Sequence, residues 1–383
     1  MQSASLNRRF RRNIAVFCLV TTLGILFCTL WPFDPFPPNR VSWLEETNGL
    51  RFHQRGVVFT PQPLASPGTL SGDKSCTLEL WIKPAHTDPV ATVVDVYDPH
   101  NPWRFLLRQY HVGLIISHDV PVPFRRPQRM KIDIDDGLHR DQLTFITITS
   151  GHKGTSVYFD GRLKKYFPRF QISLDDLSGQ LVLGSSTVEP DTWSGEIHGL
   201  AIYAGEFPSD QVAESFRDWV HNLTPDDASA SPILAKYLFS ERSGETVHDA
   251  GVLGQDLIIP KIYRVPHHSF LTLPWYEFYH SWDYFSDVLR NIVGFMPFGF
   301  LVCALLSFSP ARRHALLYSI LLGGLLSFCI EVLQSFIPQR GSGVTDIITN
   351  TLGTALGALL LRSELIWTVF SGLVSGAPGD SDS

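Results

Sequence analysis

The 383-residue sequence predicts a mixed fold: an all-β sandwich of jelly-roll type carried on an α-helical membrane bundle. Three observations carry that prediction. Apolar residues gather in four long runs, one near the N-terminus and three between about 288 and 361. Between them, residues 41–265 alternate polar and apolar positions in short segments separated by turn residues. Finally, "SDVLRNIVGFMPFG" at 286–299 and "TDIITNTLGTALG" at 345–357 open two of the apolar runs with one polar spacing. Asp287, Asn291 and Gly294 in the first correspond to Asp346, Asn350 and Gly353 in the second.

Overall composition is that of an average globular protein, with 18% charged and 44% apolar residues, so the uneven distribution is the informative feature. A net charge of −6 and no long basic run exclude nucleic acid as the expected partner. Cys18, Cys28, Cys303 and Cys329 lie in apolar runs, leaving only Cys76 in the middle region. One cysteine forms no internal disulfide there, so cysteine usage does not fix the compartment.

The four runs are 14–31, about 288–308, about 315–337 and about 344–361. A bilayer crossing takes roughly 20 apolar residues. Apart from Arg290 near one end, none holds an internal Lys or Arg, which argues against buried core helices. The first run lacks a small-residue cleavage site and reads as an uncleaved anchor. Arg8, Arg9, Arg11 and Arg12 precede it, Arg312 and Arg313 separate runs two and three, and Arg362 follows run four. By the positive-inside rule these residues lie in the cytoplasm and the middle region is exported. The expected organisation is a basic N-terminus (1–12), an anchor (13–31) and an extracytoplasmic jelly roll (41–265). An aromatic interfacial linker (266–286), a three-span bundle (287–361) and a cytoplasmic tail (362–383) follow.

In this topology both Asp-x3-Asn signatures sit at the outer face. Ser286-Asp287 and Thr345-Asp346 are of the type that caps helix starts, and each Asn falls one turn deeper on the same face. Gly353-x3-Gly357 is a small-x3-small packing pattern. Glu331 lies six residues before the end of the third run, roughly 9 Å deep at 1.5 Å per residue. An ionisable group there costs a few kcal/mol and marks a functional hypothesis. Gln334 is one turn further out and Arg340 follows in the loop; a purely structural Glu331–Arg340 pair is the alternative. Together Asp287, Asn291, Glu331, Gln334, Arg340, Asp346 and Asn350 converge on one outer-leaflet polar cluster, the expected binding site. Within it Glu331, Arg340 and Asp346 are the candidates for any catalysis.

Here the chain resembles VanZ-like membrane proteins. Their pattern runs from an Asn followed by G-F-x-P-x-G through E-x-x-Q and P-x-R to D-x3-N-x2-G. It falls on Asn291, Pro297, Gly299, Glu331, Gln334, Pro338, Arg340, Asp346, Asn350 and Gly353, over roughly 283–361, with "WPFDP" at 31–35 fitting the end of a first span. The resemblance implies a bacterial cytoplasmic membrane protein of the envelope with a link to glycopeptide (teicoplanin-type) resistance. It supplies no established reaction.

In the middle region "TLELWIKP" (77–84), "LTFITITSG" (143–151), "TSVYFDG" (155–161), "QLVLGSS" (180–186) and "WSGEIHGLAIYAG" (193–205) read as strands. Asp160-Gly161 supplies a hairpin turn. One short helix is expected at 208–220, with Val212 and Phe216 four apart. These stretches resemble laminin G-like or concanavalin A-like jelly rolls. "LAKYLFSERSGETVHDAGVLGQDL" (234–257) looks like the strand and loop that often open such domains, here placed last. That resemblance implies carbohydrate binding, for which Trp103, Tyr110 and Trp193 are the stacking candidates. It also admits calcium as a cofactor, with Asp95, Asp98 and Asp119 as hard oxygen donors but no coordinating spacing. No Glu-x-Asp-x-x-Glu pair is present and Glu79 stands alone on its strand, so glycoside hydrolysis is not expected. His267, His268 and His280 show no metal-ligand spacing.

Three functions follow. In the favoured one the jelly roll binds an envelope glycan or protein while the bundle engages membrane lipid, a lipid-linked precursor or a cell-wall component. The alternative is a membrane enzyme on an amphipathic envelope substrate, with Glu331 as general base and Arg340 holding a phosphate or carboxylate. No nucleophile or metal motif accompanies Glu331, which weighs against enzyme activity. A small transporter is the third, disfavoured by the lack of an intramembrane charge relay.

Overall fold

The computed structural model describes residues 2–65, 75–87, 90–99, 101–120, 127–189, 191–222, 231–266, 270–274, 282–338, 340–363 and 366, without the side chains of 2–8, 103, 222, 283 and 311. The chain forms two compact units, Phe36–His268 and Met1–Pro35 with Ser269–Ser383.

The first unit is an all-β sandwich. Its first eight strands are β1 (Val41–Trp43), β2 (Leu50–Phe52), β3 (Val58–Phe59), β4 (Cys76–Pro84), β5 (Ala91–Asp98), β6 (Asn101–Tyr110), β7 (Gly113–Val120) and β8 (Gln128–Ile134). They are followed by β9 (Thr144–Gly151), β10 (Gly154–Phe159), β11 (Arg162–Phe167), β12 (Gln180–Leu183), β13 (Gly195–Ala204), β14 (Ile233–Tyr237), β15 (Thr246–Val247) and β16 (Leu257–Ile258). One sheet runs β1-β2-β13-β4-β9-β10-β11, with β14 also on β13; the other runs β15-β16-β3-β12-β5-β6-β7-β8. The late strand β14 pairs with β13 at Leu200↔Tyr237, beside the place where β2 pairs at Ile197↔Leu50. The last strands thus lie next to the first, as the 234–257 stretch led us to expect.

Alternation builds the core. Leu78, Leu80 and Ile82 of β4 face Val94, Val96, Phe105 and Leu107 of the opposite sheet in one apolar layer. The other face of β4 is not solvated. The helix α2 (Ser209–Asn222) covers it, seating Val212 and Trp219 on Phe145, Tyr158 and Tyr203. Glu79, on that face, is therefore fully buried and accepts hydrogen bonds from Tyr203 Oη at 3.0 Å and Trp219 Nε1 at 2.9 Å.

The second unit contains α1 (Gln2–Leu30), α3 (Trp282–Ser307), α4 (Ala315–Gln334) and α5 (Val344–Arg362). All four are long and apolar enough to cross a membrane. Their packing is inverted relative to a water-soluble bundle. In α4 the buried stripe is Ser319, Gly323, Ser327, Glu331 and Gln334, while Leu321, Leu322, Leu325 and Phe328 point outward. Lipid makes that arrangement stable, because apolar side chains gain nothing by leaving a hydrocarbon solvent and helix contacts fall to small and polar residues. Close approach follows: a Cβ on Gly353 or Gly357 of α5 would meet the backbone carbonyls of Ile292 or Met296 of α3, and one on Gly299 that of Thr354. At one end of the bundle Phe10 meets Phe308, while Ile14, Ala315 and Leu361 share a cluster, bringing Arg9, Arg11, Arg12, Arg312, Arg313 and Arg362 to that end.

Two expectations about caps are corrected. Ser286 and Asp287 do not start a helix, since α3 already runs from Trp282 and places them in its second turn. The cap of α5 is Gly343, with Asp346 in the first turn.

Candidate functional site: the polar end of the bundle

Opposite the arginines, side chains from three helices and the end of a fourth meet. The stripe on α4 supplies Ser327, Glu331 and Gln334 at helical spacing, all buried. On α5, Asp346 and Asn350 lie one turn apart. Asn350 Nδ2 donates to Ser327 Oγ at 3.0 Å, joining the two stripes. Glu331 Oε2 accepts the backbone N–H of Gly343 at 2.8 Å, so the carboxylate holds the residue that begins α5. The segment at 271–274 runs alongside, with Thr272 N–H donating to Ser342 O at 2.9 Å and Thr272 O accepting from Val344 N–H at 2.9 Å.

The other helices tie in through amides and a guanidinium. Asn291 Nδ2 on α3 donates to Asp346 Oδ1 at 2.7 Å. Gln334 Nε2 donates to the carbonyl of Thr29 on α1 at 3.0 Å, and Arg340 Nη2 to that of Trp31 at 2.9 Å. Both signatures therefore meet, but as complementary parts rather than equivalent copies. The Asn of the first binds the Asp of the second.

Of the seven residues named from the sequence, Asn291 and Asp346 bond directly, while Glu331, Gln334, Arg340 and Asn350 bond to Gly343, Thr29, Trp31 and Ser327 in that order. Asp287 is exposed and pairs within its own helix with Arg290 at 2.8 Å, while Asn291, one turn further on, is the residue that meets Asp346 of α5. Gln334 Oε1 and Asn350 Oδ1 are buried without a hydrogen-bond partner among the described residues. A buried acceptor left unfilled carries a desolvation cost of about 1–3 kcal/mol.

In the sandwich, the stacking candidates separate. Trp193 is 1% exposed, and its Nε1 donates to Gln109 Oε1 at 2.7 Å, so it is a core residue with no ring face for a sugar. Tyr110, at the β6–β7 hairpin, is 48% exposed. The side chain of Trp103, with His267, His268, His280 and most of the aromatic linker, lies outside the described residues. The three aspartates named for calcium do not converge. Asp95 Oδ2 accepts from Thr187 N–H at 2.7 Å and Thr187 Oγ1 at 2.9 Å, Asp98 pairs with Arg104 at 3.0 Å, and Asp119 with Arg129 at 3.1 Å. Among the described residues no group of three or more His, Cys, Asp or Glu is placed to hold a metal ion.

What the sequence reading missed is a cleft of about 760 Å3 at the end of the sandwich where β7 stops and β8 starts. His118, Met130, Arg169, Gln171, Ile172 and Asp176 line it. No spacing in the sequence signals it, since its residues are gathered from both sheets and from the loop after β11.

Comparison with known proteins agrees with the two-part architecture. Residues 236–368 match the VanZ/LLP1 family model, and residues 60–213 match that of the concanavalin A-like lectin/glucanases superfamily. No curated protein matches the chain. Among solved structures, a putative carbohydrate binding protein from Bacteroides ovatus aligns at 12% identity over 57% of this chain and 59% of its own, with a TM-score of 0.41. A heptameric SAP-like pentraxin from Limulus polyphemus aligns at 16% identity over 46% and 78%, with a TM-score of 0.32. The CBM40 of the Ruminococcus gnavus IT-sialidase, bound to α2,3 sialyllactose, aligns at 13% identity over 44% and 96%, with a TM-score of 0.34. The chain thus matches a concanavalin A-like family over 60–213 and a VanZ/LLP1 family over 236–368.

Proposed function

We propose that this chain is a multi-pass protein of the bacterial cytoplasmic membrane whose bundle binds a lipid-linked or cell-wall component at its polar end. Its sandwich domain, in this reading, binds an envelope glycan. The observation that carries the bundle's role is the buried Glu331, which accepts the Gly343 N–H, on the same helices as the Asn350–Ser327 and Asn291–Asp346 hydrogen bonds and with apolar outward faces around them. Ionisable groups at such depth are costly and persist where they bind something. Unfilled acceptors on Gln334 and Asn350 suit a ligand that donates hydrogen bonds, and Arg340 at the rim suits an anionic group.

Orientation follows from charge. The bundle end holding Arg9, Arg11, Arg12, Arg312, Arg313 and Arg362 takes the cytoplasmic side, which leaves the polar cluster at the outer leaflet. Both termini are then cytoplasmic, and the sandwich, which joins α1 to α3 in sequence, is extracytoplasmic. The catalytic alternative is weaker in this geometry, because Glu331 Oε2 is engaged by a backbone amide.

The test is teicoplanin susceptibility of a sensitive bacterial host expressing wild type, Glu331→Gln or a deletion of 41–260, at matched membrane levels. Protection that is lost only with Glu331→Gln supports a working bundle site. Absence of protection by well-inserted wild type removes the resistance role.

A further inference from the structure

The cleft at the end of the sandwich is built from paired groups with two exceptions. His118 and Met130 are cross-strand partners on β7 and β8, as are Asp119 and Arg129. His118 is 5% exposed and packs edge-on against Phe170, with ring centroids 4.9 Å apart. Its Nδ1 lies 3.5 Å from Asp176 Oδ1, and Asp176 Oδ2 accepts from Ser173 N–H and Ser173 Oγ, each at 2.8 Å. The carboxylate beside Nδ1 favours the ring hydrogen there, which leaves Nε2 as an acceptor. Nδ1 is enclosed, and the imidazole ring lines the cleft.

Charge in the cleft is unbalanced. Asp119 is committed to Arg129 at 3.1 Å, and Asp176 to Ser173 and His118. Arg169 is exposed on the rim with no hydrogen-bond or ion-pair partner among the described residues. Gln171 Nε2 donates to His152 O at 2.9 Å, which turns its remaining polar atom, Oε1, into a further acceptor. Met130 and Ile172 give the cleft an apolar wall. The combination is one unneutralised guanidinium, two acceptors and an apolar surface.

We propose that this cleft binds an acidic saccharide, its carboxylate on Arg169 and a ring hydroxyl on the His118 imidazole. This rests on the glycan reading of the domain and assigns its site and charge class. The site is not the one Tyr110 marks: Tyr110 ends β6 opposite Gly113, at the far end of β7 and roughly 17 Å from His118 along a strand at about 3.4 Å per residue.

The experiment measures calorimetric binding of oligogalacturonate, and of its methyl-esterified neutral form, to the full chain in lipid nanodiscs. Expected is acid-form binding at least about tenfold tighter than the ester, lost on Arg169→Ala and partly retained by Arg169→Lys. His118→Asn should weaken both forms, while Arg162→Ala on the exposed strand β11 should leave both unchanged. Equal binding of acid and ester, or unaltered binding by Arg169→Ala, overturns the assignment while leaving glycan binding by the domain in place. No binding of either form overturns both, without bearing on the bundle, which the susceptibility test addresses. A phosphodiester-linked sugar polymer run in parallel separates the anion types; tighter binding of that polymer overturns the carboxylate assignment.

Discussion

Glu331 of α4 accepts the backbone N–H of Gly343 at 2.8 Å, so the one carboxylate buried in the third span also fixes where the fourth begins. A glutamine at 331 keeps a carbonyl oxygen for that amide and removes only the charge. Glu331→Gln should therefore insert and melt like wild type, whereas Glu331→Ala, which orphans a buried N–H, should lose about 1–3 kcal/mol. Thermal unfolding of the two variants in detergent separates the structural from the ligand-binding role of this residue.

Helix contact makes a second prediction. Gly294 and Gly353 hold the same place in the repeated signature, yet a Cβ on Gly294 meets nothing within 4 Å while one on Gly353 meets the Ile292 carbonyl. Gly294→Ala should be neutral or slightly stabilising. Gly353→Ala and Gly357→Ala should each force α3 and α5 apart at a cost of about 1–3 kcal/mol. Yield of folded protein on size-exclusion chromatography reports the difference.

The sandwich should be more stable in mild acid than in base. Burial pushes the Asp95 carboxyl up to about 7, against hydrogen bonds from Thr187 and Ser186 that pull it down. The folded state then keeps this proton where an unfolded aspartate, with its pKa near about 4, has released it. Its contribution is complete below about pH 4 and is lost as pH rises through about 7. Burial raises Glu79 and Glu189 in the same direction, while Glu196, whose burial is outweighed by Arg51 and Lys83, opposes them. The unfolding midpoint should fall from pH 5 to pH 8, and Asp95→Asn should flatten that fall.

Two aromatic residues should respond differently to truncation. Trp193→Ala removes a fully buried indole and strands Gln109 Oε1, for a loss of about 3–5 kcal/mol. Tyr110→Ala, at an exposed hairpin, should stay within about 0.5 kcal/mol of wild type. Denaturant unfolding followed by fluorescence distinguishes the two.

Much of this was legible in the sequence because its physical signals are local. Four apolar runs, strand alternation in "TLELWIKP" and the i, i+3 spacing of Glu331 and Gln334 each follow from one element's geometry. Where the reading failed, the cause lay between elements. Asp287 has the right spacing but is exposed and pairs with Arg290 of its own helix, and Trp193 is aromatic in a loop that folds into the core. That α2 covers the second face of β4 is likewise not revealed by the alternation of that strand. His118, Arg169 and Asp176 left no mark, since three strands and a loop must assemble before they share a cleft.

The most direct test of the bundle's role is saturable binding of a lipid-linked cell-wall precursor to the full chain in nanodiscs, compared between wild type and Glu331→Gln. We predict binding by wild type and at least about tenfold weaker binding by Glu331→Gln at an unchanged melting temperature. Equal binding by the two proteins, or none by folded wild type, would contradict it.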